Sequence, residues 1–150
     1  MDIGKICSRN VITVRELDEL TLAAQLMREK HIGYLIVVRP GIDDRTAPVG
    51  VITDRDIVVA VVAKETDPRS LKVGEVMTRQ PAVVEEGSSV ATALQLMRRI
   101  GVRRLPVIDR AGMLAGVLSL DDVLDALAGE LTDMSASIRH EIRMEDALRP

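Results

Sequence analysis

This chain is nearly without aromatic residues: its 150 residues include no Phe, no Trp and one Tyr, Tyr34. Its core must therefore be built from Val, Ile, Leu, Ala and Met. A surface that stacks single-stranded nucleic acid on aromatic rings is excluded. Charge of one sign is lacking too. The 20 Lys and Arg are scattered among 23 Asp and Glu, for a formal net charge of −3, so no basic face for a duplex is present. A single cysteine, Cys7, rules out an internal disulfide and fits a reducing compartment. The longest apolar run, Ile57 to Ala63, is too short to span a bilayer, and Met1–Lys5 carries no signal-peptide pattern. These absences point to a soluble cytoplasmic protein that binds neither nucleic acid nor membrane.

Catalytic and metal signatures are missing as well. The sequence has no zinc-ligand spacing, no glycine-rich phosphate loop and no HExxH. Cys7 has no nearby His to activate it and reads as an inert thiol. His31 closes an amphipathic helix, where a cation suits the helix dipole. His140, among Arg139, Glu141 and Arg143, reads as part of a solvated face. The acidic pairs Asp54/Asp56 and Asp121/Asp122 sit at helix starts and point in different directions. No catalytic residue and no metal site is expected, and the chain does not read as an enzyme.

What is present is a duplication. Shifted by 70, residues 3–38 fall on 73–108 without a gap: Ala23-Ala24-Gln25-Leu26-Met27-Arg28 lies on Ala93-Leu94-Gln95-Leu96-Met97-Arg98. Gly4 meets Gly74, Arg9 meets Arg79, Val14 meets Val84 and Glu16 meets Glu86. The register then changes to 66, where Gly50-Val51-Ile52-Thr53 and Asp56 match Gly116-Val117-Leu118-Ser119 and Asp122. The first copy therefore has four extra residues in the loop Arg39 to Pro48. An indel confined to a turn-rich loop is the mark of a real repeat.

Each copy reads as strand–helix–strand–strand–helix. A short strand (Val11–Val14; Ala82–Val84) precedes a helix capped by Asp18 or Ser88. The stripes Leu20, Ala23, Ala24, Met27 and Val90, Ala93, Leu94, Met97 face the core. Hairpins follow, Tyr34–Val38 with Val49–Ile52 and Leu105–Ile108 with Leu114–Leu118, the second turning at Gly112. A second helix starts at Asp54 and at Leu120. The expected divisions are 1–66, 70–130 and an amphipathic tail at 131–150, in which Leu131, Met134, Ile138, Ile142 and Leu148 share a face. That face suits either a helix of another subunit or the chain's own body. A unit of about 60 residues buries too little surface to stand alone, so the copies should pack together about a pseudo-twofold axis.

This tandem order, with Gly-apolar-apolar-Thr/Ser-x-x-Asp closing each copy, resembles the cystathionine β-synthase (CBS) domain family, as a tandem pair or Bateman module. Glu75-Val76-Met77-Thr78 and Val102-Arg103-Arg104-Leu105-Pro106-Val107-Ile108-Asp109 support the resemblance, which covers residues 1 to about 130. It implies an α/β (α+β) fold of two β-α-β-β-α repeats plus a C-terminal helix. It also implies a homodimer and an adenosyl ligand (AMP, ADP or ATP, with S-adenosylmethionine or NAD possible) that regulates an effector protein. The chemistry is sensible on its own terms. A hydroxyl and free N–H groups at a helix start suit an anion, and an aspartate one turn in suits the two hydroxyls of a ribose. Thr/Ser-x-x-Asp is equally a capping box that needs no ligand.

As the resemblance implies, each cleft joins that motif to the other copy. Site one takes Thr53, Arg55 and Asp56 with Val73, Gly74, Val102, Arg103 and Arg104. Site two takes Ser119, Asp121 and Asp122 with Ile3, Gly4, Ile32, Gly33 and Tyr34. Gly33-Tyr34 stands where the second copy has Arg103-Arg104, whose guanidinium groups suit phosphate or, alternatively, surface ion pairs. The Asp56 site is therefore expected to take a phosphorylated nucleotide. The Asp122 site should be weaker, take an uncharged adenosyl group, or stay empty. A structural dimerisation module and an enzyme of unrecognised type are the alternatives.

Overall fold

The computed structural model describes residues 1–149. In chain order it comprises α1 (Ile3–Ile6), β1 (Thr13–Arg15), α2 (Leu20–Lys30), β2 (Tyr34–Pro40), β3 (Thr46–Thr53) and α3 (Asp54–Ile57), which continues into a π-helical turn at Val58–Val62. A short 3₁₀ turn, Pro68–Ser70, leads to α4 (Val73–Val76), β4 (Thr78–Arg79), β5 (Val84–Glu85), α5 (Val90–Ile100), β6 (Arg104–Ile108), β7 (Leu114–Ser119) and α6 (Leu120–Leu148). This is the mixed α/β fold of two repeats and a C-terminal helix. No described helix is long and apolar enough to cross a membrane.

In each half a parallel pair (β1 with β2; β5 with β6) is joined through its helix, and an antiparallel hairpin follows (β2 with β3; β6 with β7). The helices bury Leu20, Ala23 and Met27, and Val90, Ala93 and Met97. Ala24, expected in this stripe, is exposed, and Leu26 is half-buried and packs on the core instead. Both helices end in the left-handed region, His31 at φ 53° and Gly101 at φ 72°, with N–H groups donating back to Met27 and Met97. Their starts lie one residue later than expected. Ser89, not Ser88, accepts from the Thr92 N–H, while Asp18 accepts from the Arg15 N–H and so closes the preceding turn, leaving Glu19 as N-cap.

The four extra residues of the first copy extend the hairpin instead of enlarging its loop, because β2 and β3 stay paired out to Pro40 and Thr46. The longer tip reaches the second copy's turn: the Ile42 N–H lies 3.3 Å from the Met113 sulfur, and Arg45 pairs with Asp109.

The two cores exchange their leading segments. Val73 and Met77 pack with Val14, Leu20, Leu35, Val37 and Ile52 of the first copy. Ile3 packs with Val84, Val90, Leu105, Val107 and Leu118 of the second. Each glycine after these residues allows a close approach: a Cβ on Gly74 would stand 3.1 Å from the Glu16 carbonyl oxygen, and one on Gly4 3.1 Å from that of Glu86. The Gly74 and Gly4 N–H groups donate to those same oxygens at 2.9 and 2.8 Å. Arg79 then bridges the Gly74 carbonyl to Glu16, and Arg9 bridges the Gly4 carbonyl to Glu86. β4 joins the first sheet beside β3, while Ser8 bridges to Val117 of the second. The glycine, Arg–Glu and strand contacts of this exchange recur 66 or 70 residues away, which is the reciprocity of a pseudo-twofold axis. The residue pairs that reveal the repeat in the sequence are thus the clasp that holds its halves together.

α6 runs unbroken through the expected boundary near 130, for 29 residues or about 43 Å. Only its first turns touch the body: Val123 is buried, whereas Leu131, Met134, Ile138 and Ile142 are each more than half exposed. Of the two placements open to this stripe, packing back on its own chain is the one that the structure does not adopt.

Candidate functional site

Thr53 ends β3 and caps α3. Its hydroxyl accepts from the Asp56 N–H at 3.2 Å, and the Asp56 carboxylate accepts from the Thr53 N–H at 2.9 Å. Ser119 and Asp122 repeat this box at the start of α6, with distances of 3.1 and 2.7 Å. Capping therefore operates at both motifs without a ligand. The boxes differ in one respect. The Ser119 hydroxyl also donates to Asp122 at 2.7 Å, whereas the Thr53 hydroxyl donates to no protein group among the described residues. One oxygen of Asp56 is likewise free of protein donors there.

Both Thr53 and Asp56 line a cleft of about 680 Å³ between the copies. Thr53, Arg55 and Asp56 line one side, and Val102, Arg103 and Arg104 the other, as expected for site one. Val73 and Gly74 do not line it. They do pack on the first copy, but Val73 is fully buried in its core and Gly74 lies against Glu16. The structure adds residues that the sequence reading missed. Thr78, Gln80, Pro81 and Ala82 form one wall, Val51 and Pro106 are apolar surfaces, and Gly33 and Tyr34 belong to this cleft too. The signal for Gln80–Ala82 was their position just before β5, in the connection through which the second copy crosses to the first sheet.

Site two is a different object. Residues equivalent to that lining (Asn10, Val11, Ile12, Ile32, Ile36 and Val117) enclose only about 120 Å³, together with Tyr34 and Arg104. Ile32 and Tyr34 line this small cavity, whereas Ser119, Asp121 and Asp122 do not. Ile3 is fully buried in the second core, Gly4 lies against Glu86, and Gly33 faces the first cleft beside Asp54.

Arg103 lies 3.7 Å from Asp121 in a well-exposed pair, so its guanidinium is held weakly. The Arg104 guanidinium stands 5.9 Å above the centre of the Tyr34 ring. Burial pushes the Tyr34 phenol well above its ordinary value of 10, against the pull of Arg104. Cys7 is half-buried against the second core, and burial likewise raises its thiol. A further depression of about 420 Å³ shares Arg55 and Asp56 with the cleft and adds Lys64 and Glu75. One of about 650 Å³ lies at the turns Glu85–Ser88 and Asp109–Ala111. Among the described residues, no three His, Cys, Asp or Glu stand together as a metal site. The first cleft thus offers apolar walls, a carboxylate and hydroxyl at a helix start, and two guanidinium groups opposite.

The CBS domain model matches residues 3–63 and 73–129. The chain is a member of the CBS domain family. As a tandem CBS protein it is 33% identical over 124 residues to the uncharacterized protein MK0525 of Methanopyrus kandleri, a match that covers 83% of this chain and 61% of that protein. It is 37% identical over 118 residues to hypoxic response protein 1 of Mycobacterium tuberculosis, covering 79% of each. Among solved structures it superposes with a TM-score of 0.71 on CBSX2 in complex with AMP, at 27% identity over 85% of this chain and 96% of that one.

Proposed function

We propose that this CBS pair is a regulatory module, not an enzyme, and that it binds a phosphorylated adenosyl ligand of the AMP, ADP or ATP class in the 680 Å³ cleft. The observation that carries this reading is the convergence of Thr53 and Asp56 with Arg103 and Arg104 across one cleft. Asp56 accepts the ribose hydroxyls, Thr53 and the helix start meet the phosphate, and Arg103 and Arg104 complete its coordination from the other copy. The apolar walls at Val51, Pro81, Ala82 and Pro106 take the purine. The AMP complex of CBSX2 supports the ligand class. S-adenosylmethionine and NAD share the adenosyl group and are the competitors that a titration separates. The cleft lining includes neither His nor Cys.

The cleft is built from both copies, so a ligand that fits one spacing of them better shifts the pair toward that spacing. An effector protein reads the shift. The module acts as a homodimer: the stripe Leu131, Met134, Ile138 and Ile142, spaced three and four residues apart, is the pattern of a helix that pairs with its own copy.

The deciding experiment uses the missing chromophores. With one Tyr and no Trp, co-purified adenine dominates the spectrum near 260 nm, and mass spectrometry of denatured protein names the ligand. Titration of emptied protein with AMP, ADP, ATP, S-adenosylmethionine and NAD should give binding by the nucleotides. It should also give thermal stabilisation of about 2.7 kcal/mol at 100 times Kd. The absence of both binding and stabilisation with all five compounds refutes the reading.

A further inference from the structure

The two clefts are related by the repeat, yet one holds about 680 Å³ and the other about 120 Å³. The shift of 70 that superposes the copies places Tyr34 on Arg104, Ile12 on Ala82 and Ile36 on Pro106. Tyr34 and Arg104 are the residues that line both spaces, so they form the partition between them. Their environments differ sharply. Arg104 is a flexible chain lying over the Tyr34 ring. The Tyr34 hydroxyl is buried and has no hydrogen-bond partner among the described residues. An orphaned buried hydroxyl costs free energy that a solvated side chain would not. The ring therefore sits where its hydroxyl gains nothing, and what it contributes there is volume.

Resting on the adenosyl reading above, we propose that Tyr34 is a plug: its ring fills the second cleft and confines the protein to one ligand per chain. The substitution that matters is one of shape as well as charge. An arginine at the equivalent position folds away over its neighbour and leaves the first cleft open. A tyrosine, with its ring under Arg104 and lining the small space beside Ile32 and Ile36, does not. Ile12 and Ile36 narrow the same space from the sides. Asp122, whose capping box matches that of Asp56, does not line the small space.

The test is the stoichiometry of AMP and of adenosine binding by isothermal titration, for the wild type, Tyr34→Phe and Tyr34→Ala, each checked by circular dichroism. Stoichiometry is read because Tyr34 also borders the first cleft, so affinity there will move in any variant. The wild type and Tyr34→Phe should bind one equivalent, Phe keeping the plug and losing the orphaned hydroxyl. Tyr34→Ala should bind a second equivalent, adenosine included, because the second cleft lacks paired arginines. One equivalent in folded Tyr34→Ala overturns the plug and leaves the first-cleft reading intact. A wild type that binds neither compound overturns both. Should Tyr34→Ala fail to fold, the reciprocal pair decides: Arg104→Tyr should abolish adenosine binding at the first cleft while Arg104→Ala retains it. Equal adenosine binding by those two overturns the proposal.

Discussion

Replacing Asp56 and, separately, Asp122 with Ala divides helix capping from ligand contact. The two aspartates hold matched boxes, with Oδ2 at 2.9 Å from the Thr53 N–H and 2.7 Å from the Ser119 N–H. Loss of either box should cost about 1 kcal/mol, which lowers Tm by about 2–4 °C in a chain of this size. Asp122→Ala should lie at the upper end, because Asp122 also accepts the Ser119 hydroxyl. The binding losses should differ. Asp56 lines the open cleft and Asp122 does not line the small one. Hydrogen bonds to a charged acceptor contribute about 1.5–3 kcal/mol, so Asp56→Ala should weaken AMP by about 10- to 150-fold. Asp122→Ala should leave Kd within about twofold. Thermal melts followed by circular dichroism and isothermal titration with AMP supply the two readouts. Equal loss of affinity in both variants, or none in either, would refute the assignment of ribose to Asp56 and leave the motif as capping alone.

Other outcomes follow from the same contacts. Arg103→Ala should change stability by less than about 1 kcal/mol, since its pair with Asp121 is exposed; titration should show weaker AMP and unchanged adenosine. Ile3→Ala should destabilise the protein by about 2–5 kcal/mol in urea unfolding, as a fully buried member of the second core despite its place near the N-terminus. Bonds from Arg39 and then Arg79 hold the Glu16 carboxyl below its ordinary value of 4.5, and the Met113 N–H does the same for Asp109, with help from Ala111 and Arg45. Their stabilisation is complete above the ordinary carboxylate range and is lost as pH falls through the lowered values, so melts below pH 4.5 should drop less steeply in Glu16→Gln than in wild type. If α6 pairs with its own copy as proposed, wild type should sediment as a dimer and the double substitution Leu131→Asp with Ile138→Asp as a monomer at the same concentration, while the melt of the two repeats is unchanged.

Much of this protein is legible in one dimension because a duplication writes the same local rules twice. Spacings of three and four residues determine α2 and α5, the Gly-x-x-Thr/Ser-x-x-Asp run marks where a strand hands over to a helix, and the break in register locates the hairpin that carries extra residues. The halves of the first cleft, Thr53 to Asp56 and Val102 to Arg104, were readable because each sits at a strand or helix end that the pattern defines. Local rules fail where packing crosses between copies. Val73 and Ile3 each look like the start of their own repeat, yet they complete the core of the other, because a three-stranded sheet leaves a face that only a segment from across the axis can cover. The gap in volume between the clefts is tertiary for the same reason. Sequence shows Tyr34 aligned with Arg104, a difference of charge. Only the folded chain sets the ring and the guanidinium against each other on the axis, where the rigid side chain fills its cleft and the flexible one leaves its own open.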